Sequence, residues 1–226
     1  MKLKNKRLLC VIEAIKAHKR GEILADIGTD HAYLPCFLYN HHIIKKAYAC
    51  DIAEGPLSSS KQTIQETQAD GVEALLGDGL DPIVEKQVDM IAICGMGGLL
   101  MSQFLDAHVS MLEDHLFFLQ ANTAIDLLRE YLEKHNMAII DEYNVKDAHH
   151  IYEVIVAQKG SNVHYTKEDL IFGPVLRKQK NALFYEKWER ILNTQNKILA
   201  QMDPTHDKYG EVVSYKQMIE QELKKA

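Results

Sequence analysis

Residues 22–40 read EILADIGTDHAYLPCFLYN, and this segment decides the fold. The apolar run at residues 22–27 predicts a short strand, which ends at the corner formed by residues 28–30. Residues 33–40 then predict a helix that Pro35 opens. A strand, a glycine-bearing corner and a helix in direct succession are typical of a unit of a parallel sheet.

The same alternation continues on both sides of this segment. Further strands are predicted at residues 46–52, 72–76, 88–94, 115–120, 137–145 and 151–158, and further helices at residues 4–19, 56–68 and 123–135. The last two strands have no helix between them, so they are expected to pair antiparallel. The predicted fold class is therefore α/β, with a doubly wound, mostly parallel Rossmann-like sheet and an antiparallel last strand.

The pattern changes to helix after Thr166. Pro174 is predicted to open one long helix with a coiled-coil-like seam formed by Phe184, Trp188, Ile191, Ile198 and Met202. A second helix at residues 212–224 is expected to fold back on it as an antiparallel hairpin. We therefore expect two domains, a sheet domain at residues 1–165 with a basic N-terminal helix, and a small helical domain at residues 166–226.

Composition excludes several classes of protein. The 226 residues are 46% hydrophobic and 26% charged, with only 12 Gly and 5 Pro, which is typical of a globular chain and excludes fibrous and disordered classes. No apolar run is long enough for a membrane span, and no secretion signal fits, so the cytoplasm is the expected location. The four cysteines form no Cys-x-x-Cys pair, which argues against a disulfide framework or a zinc site.

Charge is distributed unevenly along the chain. Residues 1–20 carry seven basic side chains and one acidic one, whereas residues 21–165 carry eight basic and 22 acidic ones. A polyanion would be repelled by the acidic body and attracted to the basic ends. The candidate RNA-binding residues are the cations of these ends, Lys6, Arg7, Lys16, Lys19, Arg177, Lys178 and Lys180. The alternative is that lysine-rich terminal helices are only solvated faces.

The corner after the first strand indicates what kind of ligand would bind. Open parallel sheets bind ligands at the carboxyl ends of their strands. Gly28 permits a sharp exit there, but the full G-x-G-x-x-G loop is absent, and Asp26 and Asp30 would repel a pyrophosphate. This disfavours NAD and favours a ligand with a cationic part, such as S-adenosylmethionine. His31, taken alone, is read as a hydrogen-bonded turn residue.

Three further corners follow at successive strand ends. Asp51 is placed to accept hydrogen bonds from ribose hydroxyls, and the Gly77-Asp78-Gly79 turn would let the backbone approach a ring while Asp78 accepts from an exocyclic amine. The run at residues 94–98 leaves a flat space beside a ligand's reactive end. Each such turn is common by itself. Four at consecutive strand ends predict a nucleoside-binding crevice, with no metal.

These motifs carry a resemblance to a known family. The segment ADIGTDHAYLP at residues 25–35, together with ACDI at 49–52, GDG at 77–79 and GMGG at 95–98, resembles the bacterial tRNA (adenine 22, N1) methyltransferases. The likeness extends over the whole chain. It implies a class I S-adenosylmethionine-dependent methyltransferase domain with a small coiled-coil domain, acting on N1 of one adenine in tRNA.

The resemblance also implies site residues. Asp26, Gly28, His31 and Tyr33 would surround the methionine part of the cofactor, Asp51 and Ile52 its ribose, Asp78 and Gly79 its adenine, and Gly95 with Met96 the methyl-transfer centre. Cys94 receives no role.

The chemistry of the reaction suggests a role for carboxylates. Adenine N1 keeps a lone pair at neutral pH, so no proton must be removed and positioning should supply most of the rate. Methylation leaves positive charge on the ring, which a carboxylate would stabilise, and Asp30 and Asp26 are the candidates. The target must be unpaired or flipped out, because pairing blocks N1.

Two other functions stay open at this stage. A methyltransferase for another RNA, a small molecule or a protein would share the four corners, and a binding module without turnover would also keep the crevice. A monomer is expected, with a dimer through the helical tail as the alternative.

Overall fold

The computed structural model describes residues 3–225, in which one seven-stranded sheet is flanked by helices. The strands are β1 (Ile23–Ile27), β2 (Lys46–Asp51), β3 (Val72–Leu76), β4 (Met90–Gly97), β5 (Leu116–Thr123), β6 (Met137–Asp147) and β7 (His150–Lys159). The helices are α1 (Lys6–His18), α2 (Tyr33–Asn40), α3 (Glu54–Thr67), α4 (Gly98–Ala107), α5 (Ile125–Lys134), α6 (Lys167–Phe172), α7 (Leu176–Gln179), α8 (Ala182–Gln201) and α9 (Tyr209–Lys224). Residues 1, 2 and 226, which belong to the two predicted domains, lie outside the described residues.

The strand order confirms the predicted fold class. The sheet runs β3-β2-β1-β4-β5-β7-β6. Strands β1 to β5 are parallel to one another, whereas β7 pairs antiparallel with both β5 and β6. The order reverses between β1 and β4, and in such sheets the ligand crevice lies outside the carboxyl ends of the strands at this point.

Both faces of the sheet are covered, which explains the nearly continuous apolar run in β4. Met90 and Ala92 point into a core that includes Val11 of α1 and side chains of α2. Ile91 and Ile93 point into the opposite core, which is closed by α4 and α5. A central strand buried on both faces needs apolar side chains at every position.

The helical tail differs from the prediction in where its long helix begins. The single helix expected from Pro174 is wrong, because the chain forms the short helices α6 and α7 first and α8 starts only at Ala182. Lys180 adopts a left-handed conformation with φ 41°, which ends α7. The Asn181 side chain then accepts a hydrogen bond from the Phe184 amide and caps α8.

The predicted hairpin forms, but its apolar seam is buried only along the first half of α8. Phe184 and Trp188 pack in one cluster with Ile219 near the end of α9, so the two helices run antiparallel. Ile191 is only partly buried, and Ile198 is 38% exposed. The far half of the seam therefore lacks the cover that the heptad-like spacing predicted. Every residue of this cluster follows Thr166 in the chain.

A buried ion network joins the tail to the sheet. Arg129 of α5 is fully buried and lies 2.8 Å from carboxylates of both Glu142 in β6 and Glu153 in β7. It also donates to the carbonyl of Leu170 in α6 at 3.1 Å, and Lys187 of α8 donates to Glu153 at 2.6 Å. Because each charge has a close partner, burial of the network is tolerated.

Within residues 3–225, every helix is too short or too polar to cross a membrane.

Candidate active site

The corner after β1 is held against the end of β2. The amides of Gly28 and Thr29 both donate to the carbonyl of Cys50, at 2.8 and 3.1 Å. Gly28 has φ +70° and is followed by two further left-handed residues, Asp30 and Ala32, so the chain reverses tightly before α2. Ala32 precedes α2 without a side-chain cap. At Gly28 the corner therefore presents backbone rather than a side chain to the crevice.

Two cavities meet at Gly28. The larger, about 310 Å³, is lined by Asn5, Arg7, Leu8, Asp26, Gly28, Thr29, Asp30, His31, Tyr33, Leu34, Cys94 and Gly95. The smaller, about 150 Å³, is lined by Ile27, Gly28, Cys50, Asp51, Ile52, Gly77, Asp78, Gly79, Met96 and Phe104. The four predicted corners thus lie around one crevice, which the side chain of Met96 crosses above Gly28.

Asp26 is a buried carboxyl in the larger cavity. It is 5% exposed, and the hydroxyl of Thr29 donates to it at 2.6 Å. Burial, with a smaller contribution from the charge of Asp51, raises the pKa of Asp26 to about 7, while the Thr29 hydrogen bond opposes the shift. A cation placed beside Asp26 would recover the lost solvation and favour the ionised form.

The side chains next to Asp26 form a flat polar wall. The rings of His31 and Tyr33 stack with centroids 5.2 Å apart, and Tyr33 is 44% exposed. The imidazole of His31 lies 3.6 Å from the exposed carboxylate of Asp30. His31 is part of the turn, as predicted, and it lines the same cavity as both carboxylates.

The smaller cavity has the features that a nucleoside needs. One carboxylate oxygen of Asp51 accepts from the Ala53 amide at 2.9 Å, which fixes the orientation of that carboxylate. The neighbouring Ile52 is 65% exposed and offers an apolar surface. Gly79 approaches the ring of Phe104 so closely that a Cβ at Gly79 would lie 2.8 Å from it. Hydrogen-bonding carboxylates and apolar surfaces are therefore combined in one small pocket.

A β-bulge forms the fourth corner. Cys94 pairs with Gln120 and Met96 with Ala121, so Gly95 is the extra residue, with φ +84°. Side chains of β5 satisfy its backbone: the Gly95 amide donates to Gln120 Oε1 at 3.1 Å, and Asn122 Nδ2 donates to the Gly95 carbonyl at 2.7 Å. This replaces the ladder bonds that the bulge loses.

Sequence reasoning missed Gln120 and Asn122. The available signal was two polar residues at the end of an otherwise buried apolar strand.

The thiol of Cys94 lies beside the bulge. Burial strongly raises the pKa of this thiol and keeps it protonated. A protonated thiol of this kind is a poor nucleophile.

Arg7 is a candidate RNA-binding residue, but its side chain lies beside the crevice. Its guanidinium lines the larger cavity, donates to Asn122 Oδ1 at 3.3 Å and lies over the ring of Tyr152, 5.4 Å from the centroid. The exposed side chain of Lys6 is its neighbour. Lys16 pairs with Glu13 at 2.9 Å.

The remaining candidate RNA-binding cations differ in whether their side chains already bind groups of the protein. Lys19 donates to a backbone carbonyl just before β2, that of Ile43, at 2.9 Å. Arg177 pairs with Asp169 at 2.7 Å and with the buried carboxylate of Glu222 at 2.8 Å. Lys180 donates to the carbonyl of Glu222 at 3.0 Å, whereas Lys178 is exposed.

This combination of fold and crevice defines a class of protein. A Rossmann-like sheet with an acidic first corner, a hydrogen-bonding pocket at β2 and β3 and a glycine bulge at β4 is the arrangement of a domain that binds an adenosine-containing, positively charged cofactor. Residues 24–225 match the family model of tRNA (adenine(22)-N(1))-methyltransferase, TrmK. The chain belongs to this family.

Individual relatives agree with the family match. A tRNA (adenine(22)-N(1))-methyltransferase of Bacillus subtilis is 35% identical over 210 residues, covering 90% of this chain and 87% of the relative. A Streptococcus pneumoniae structure in complex with S-adenosyl-L-methionine is 30% identical, with TM-score 0.88 and coverage of 99% and 100% of the two chains. The TrmK structure of M. capricolum with S-adenosylhomocysteine is 28% identical, with TM-score 0.84 and coverage of 94% and 95%. The cofactor of the family is S-adenosylmethionine.

Proposed function

We propose that this chain methylates N1 of adenine 22 in tRNA, with the methyl donor bound across Gly28. The observation that carries the proposal is that two cavities of different character meet at this glycine. The smaller offers carboxylate acceptors and apolar surfaces, as a nucleoside requires, and the larger carries two carboxyl groups, as a sulfonium and an ammonium group require.

The residues of the crevice fit S-adenosylmethionine in their donor and acceptor chemistry. Asp51 would hold the ribose with Ile52 beside it, and Asp78 with the backbone of Gly79 would hold the adenine. Asp26, Gly28, His31 and Tyr33 would surround the methionine part. The bound cofactor supplies a methyl group on a sulfonium, which is transferred to a nucleophile in line with the breaking C–S bond.

The chain's own residues orient the target and stabilise charge. Adenine N1 carries a lone pair, so no side chain has to remove a proton, and Gly95 with Met96 leaves flat space for a purine. The ring becomes cationic as the bond to carbon forms. Asp26 and Asp30, both on the larger cavity, would stabilise that charge in a partly dehydrated site.

RNA is proposed to bind along α1 and at the tail. Lys6 and Lys178 are exposed, and Lys16 and Lys19 lie in the same basic segment as Lys6. Arg177 and Lys180 belong to the same basic region as Lys178, although their cations also hold the tail together through Glu222. The division of labour is that the ends hold the polyanion and the acidic crevice holds the cationic cofactor.

The proposal describes a monomeric, metal-free enzyme of the cytoplasm. Its support is that the hairpin packs within one chain, that attack of a ring nitrogen on a sulfonium needs no Lewis acid, and that tRNA is a cytoplasmic substrate. Sedimentation and metal analysis of the purified protein test the first two points.

Methyl transfer to unmodified tRNA tests the function. The transcript is incubated with S-adenosylmethionine, digested, and its nucleosides mapped by mass spectrometry, with a transcript that carries guanosine in place of the target adenosine as the matched control. We expect 1-methyladenosine at nucleotide 22 and none in the control. Methylation of another atom or position, equal labelling of both transcripts, or no transfer at all would contradict the proposal.

A further inference from the structure

The guanidinium of Arg7 reaches the wall of the larger cavity beside the Gly95 bulge. A Cβ placed on Gly95 would lie 3.5 Å from both terminal nitrogens of Arg7. The side chain comes from the first turn of α1, whereas the other charged side chains of the cavity come from β1 and the corner after it. Arg7 is half-buried, so its charge is only partly solvated.

Arg7 has no anion of its own within residues 3–225. Its polar contacts are the amide oxygen of Asn122 and the ring face of Tyr152, and it pairs with neither Asp26 nor Asp30 although they line the same cavity. A guanidinium has five N–H donors in a fixed fork, of which the contact to Asn122 uses one. A partly desolvated guanidinium with donors to spare is suited to a planar carboxylate.

We propose that Arg7 binds the carboxylate at the methionine end of S-adenosylmethionine. The inference rests on the proposed function, because a cofactor whose nucleoside fills the smaller cavity passes over Gly28 into the larger one. That end carries one ammonium and one carboxylate beside the sulfonium. Asp26 and Asp30 suit the cations, and Arg7 supplies the matching charge for the anion.

Asn122 acts as a positioning residue for Arg7. Its amide nitrogen donates to the Gly95 carbonyl at 2.7 Å, and its amide oxygen accepts from Gln120 Nε2 at 3.1 Å. These two bonds fix the amide plane, and the same oxygen accepts from Arg7. The bulge thus aims the guanidinium as well as making room for a purine.

Calorimetry with two ligands tests the proposal without tRNA. S-adenosylhomocysteine is compared with its decarboxylated analogue, which keeps the adenosine, the thioether and the amine. We expect the unaltered protein to prefer the carboxylate-bearing ligand by roughly tenfold to a hundredfold, as for a charged hydrogen bond. Arg7→Gln should bring that ratio close to one by weakening S-adenosylhomocysteine alone. Lys4→Gln, which removes a charge from an exposed neighbouring position, should leave the ratio unchanged.

Asn122→Ala should lower the ratio while leaving affinity for the decarboxylated analogue unchanged. A purely structural role would weaken both ligands, so this split separates positioning from support of the fold. Circular dichroism of each variant shows whether it is folded.

Several results would overturn the proposal. An unchanged ratio in Arg7→Gln does so, as does equal weakening of both ligands. An unchanged ratio with reduced tRNA affinity would assign Arg7 to an RNA phosphate instead. The proposed function fails separately, since Asp51→Ala should weaken both ligands alike, and its failure to do so would count against the cofactor's placement.

Discussion

The terminal methyl group of Met96 lies directly against Gly28. A Cβ placed on Gly28 would come within 1.9 Å of Met96 Cε, so these two residues leave no room for a side chain where the two cavities meet. A ligand that spans both cavities has to displace this thioether. Methionine is suited to such a position because its long unbranched side chain changes rotamer at little cost.

Gly28→Ala is therefore expected to impair cofactor binding. The substitution places a Cβ on a residue with positive φ, which should cost about 1–3 kcal/mol of folding free energy, and this Cβ lies where the two cavities meet. Thermal unfolding and calorimetry with S-adenosylhomocysteine measure the two effects. Gly55→Ala is the control, because a Cβ there meets no atom within 4 Å. Unchanged affinity in a folded Gly28→Ala protein would contradict the placement of the cofactor over this residue.

Asp51→Ala and Asp78→Ala should each weaken S-adenosylhomocysteine by roughly tenfold or more, since each removes a charged hydrogen-bond acceptor. Both carboxylates line the smaller cavity, so the fold should be preserved. Asp70→Ala, at an exposed turn, is the matched control and should bind normally. The comparison is made by calorimetry, and normal affinity in both site variants would exclude these residues from the nucleoside pocket.

Asp26 should make both stability and cofactor binding depend on pH. Its pKa is about 7 in the folded protein against 3.8 for an ordinary aspartate, so the folded state holds the proton more tightly. The resulting stabilisation is complete below pH 3.8 and is lost as the pH rises through about 7. Asp26→Asn should remove this dependence and be more stable than the parent at pH 8, by on the order of 3 kcal/mol.

The cofactor should bind Asp26 in its charged form. A sulfonium or ammonium beside this carboxyl favours ionisation, so binding near pH 6 should release a proton and should be tighter at pH 8. Calorimetry in buffers of different ionisation enthalpy detects the released proton. Proton release that persists in Asp26→Asn would assign the titration to another group.

Charge reversal on α1 should weaken tRNA and spare the cofactor. Lys6→Glu combined with Lys16→Glu is expected to lower tRNA affinity and to flatten its salt dependence, because fewer counterions are released. Lys61→Glu, at an exposed site of α3, is the control for the change of charge itself. Filter binding over a range of salt concentrations gives both quantities. If tRNA affinity depended on salt concentration identically in the parent and the double variant, α1 would be excluded from the RNA interface.

Two adjacent tail residues should respond differently. Lys178→Glu is expected to reduce tRNA affinity with little effect on stability, since Lys178 is exposed. Arg177→Ala removes the closest of the cations around the buried carboxylate of Glu222 and also the partner of Asp169, and it should cost about 1–3 kcal/mol in unfolding free energy. Chemical denaturation and RNA binding separate the two. A stability loss in Lys178→Glu as large as in Arg177→Ala would contradict this division.

Local patterns were sufficient to predict the sheet and the backbone of the crevice. The apolar runs before Gly28 and Gly95 predict strands that end in corners, and parallel strands bring such corners to one edge. The start of α8 was mispredicted because Pro174 is a strong opening signal, whereas the break depends on a left-handed Lys180 and on the Asn181 cap. Helix propensity alone does not reveal such a break.

Sequence patterns do not reveal contacts between distant segments of the chain. Nothing local to Arg7 distinguishes it from its lysine neighbours, and only the docking of α1 brings it to Gly95. Gln120 and Asn122 were likewise visible only as the polar end of a buried strand. Their role depends on the bulge that they hydrogen-bond. The division of the chain at residues 165 and 166 remains a prediction.

The buried network around Arg129 fixes the distance between the helical tail and the crevice. Because Arg129 contacts β6, β7 and α6, and Lys187 of α8 contacts the same Glu153, swinging the tail would expose or separate paired charges at a cost of several kcal/mol. The span from tail to crevice is thus set once, when the chain folds. An RNA bound at both the tail and the crevice can place only a nucleotide at that distance in the crevice. The enzyme would therefore select its adenine by distance within the folded RNA rather than by the surrounding base sequence.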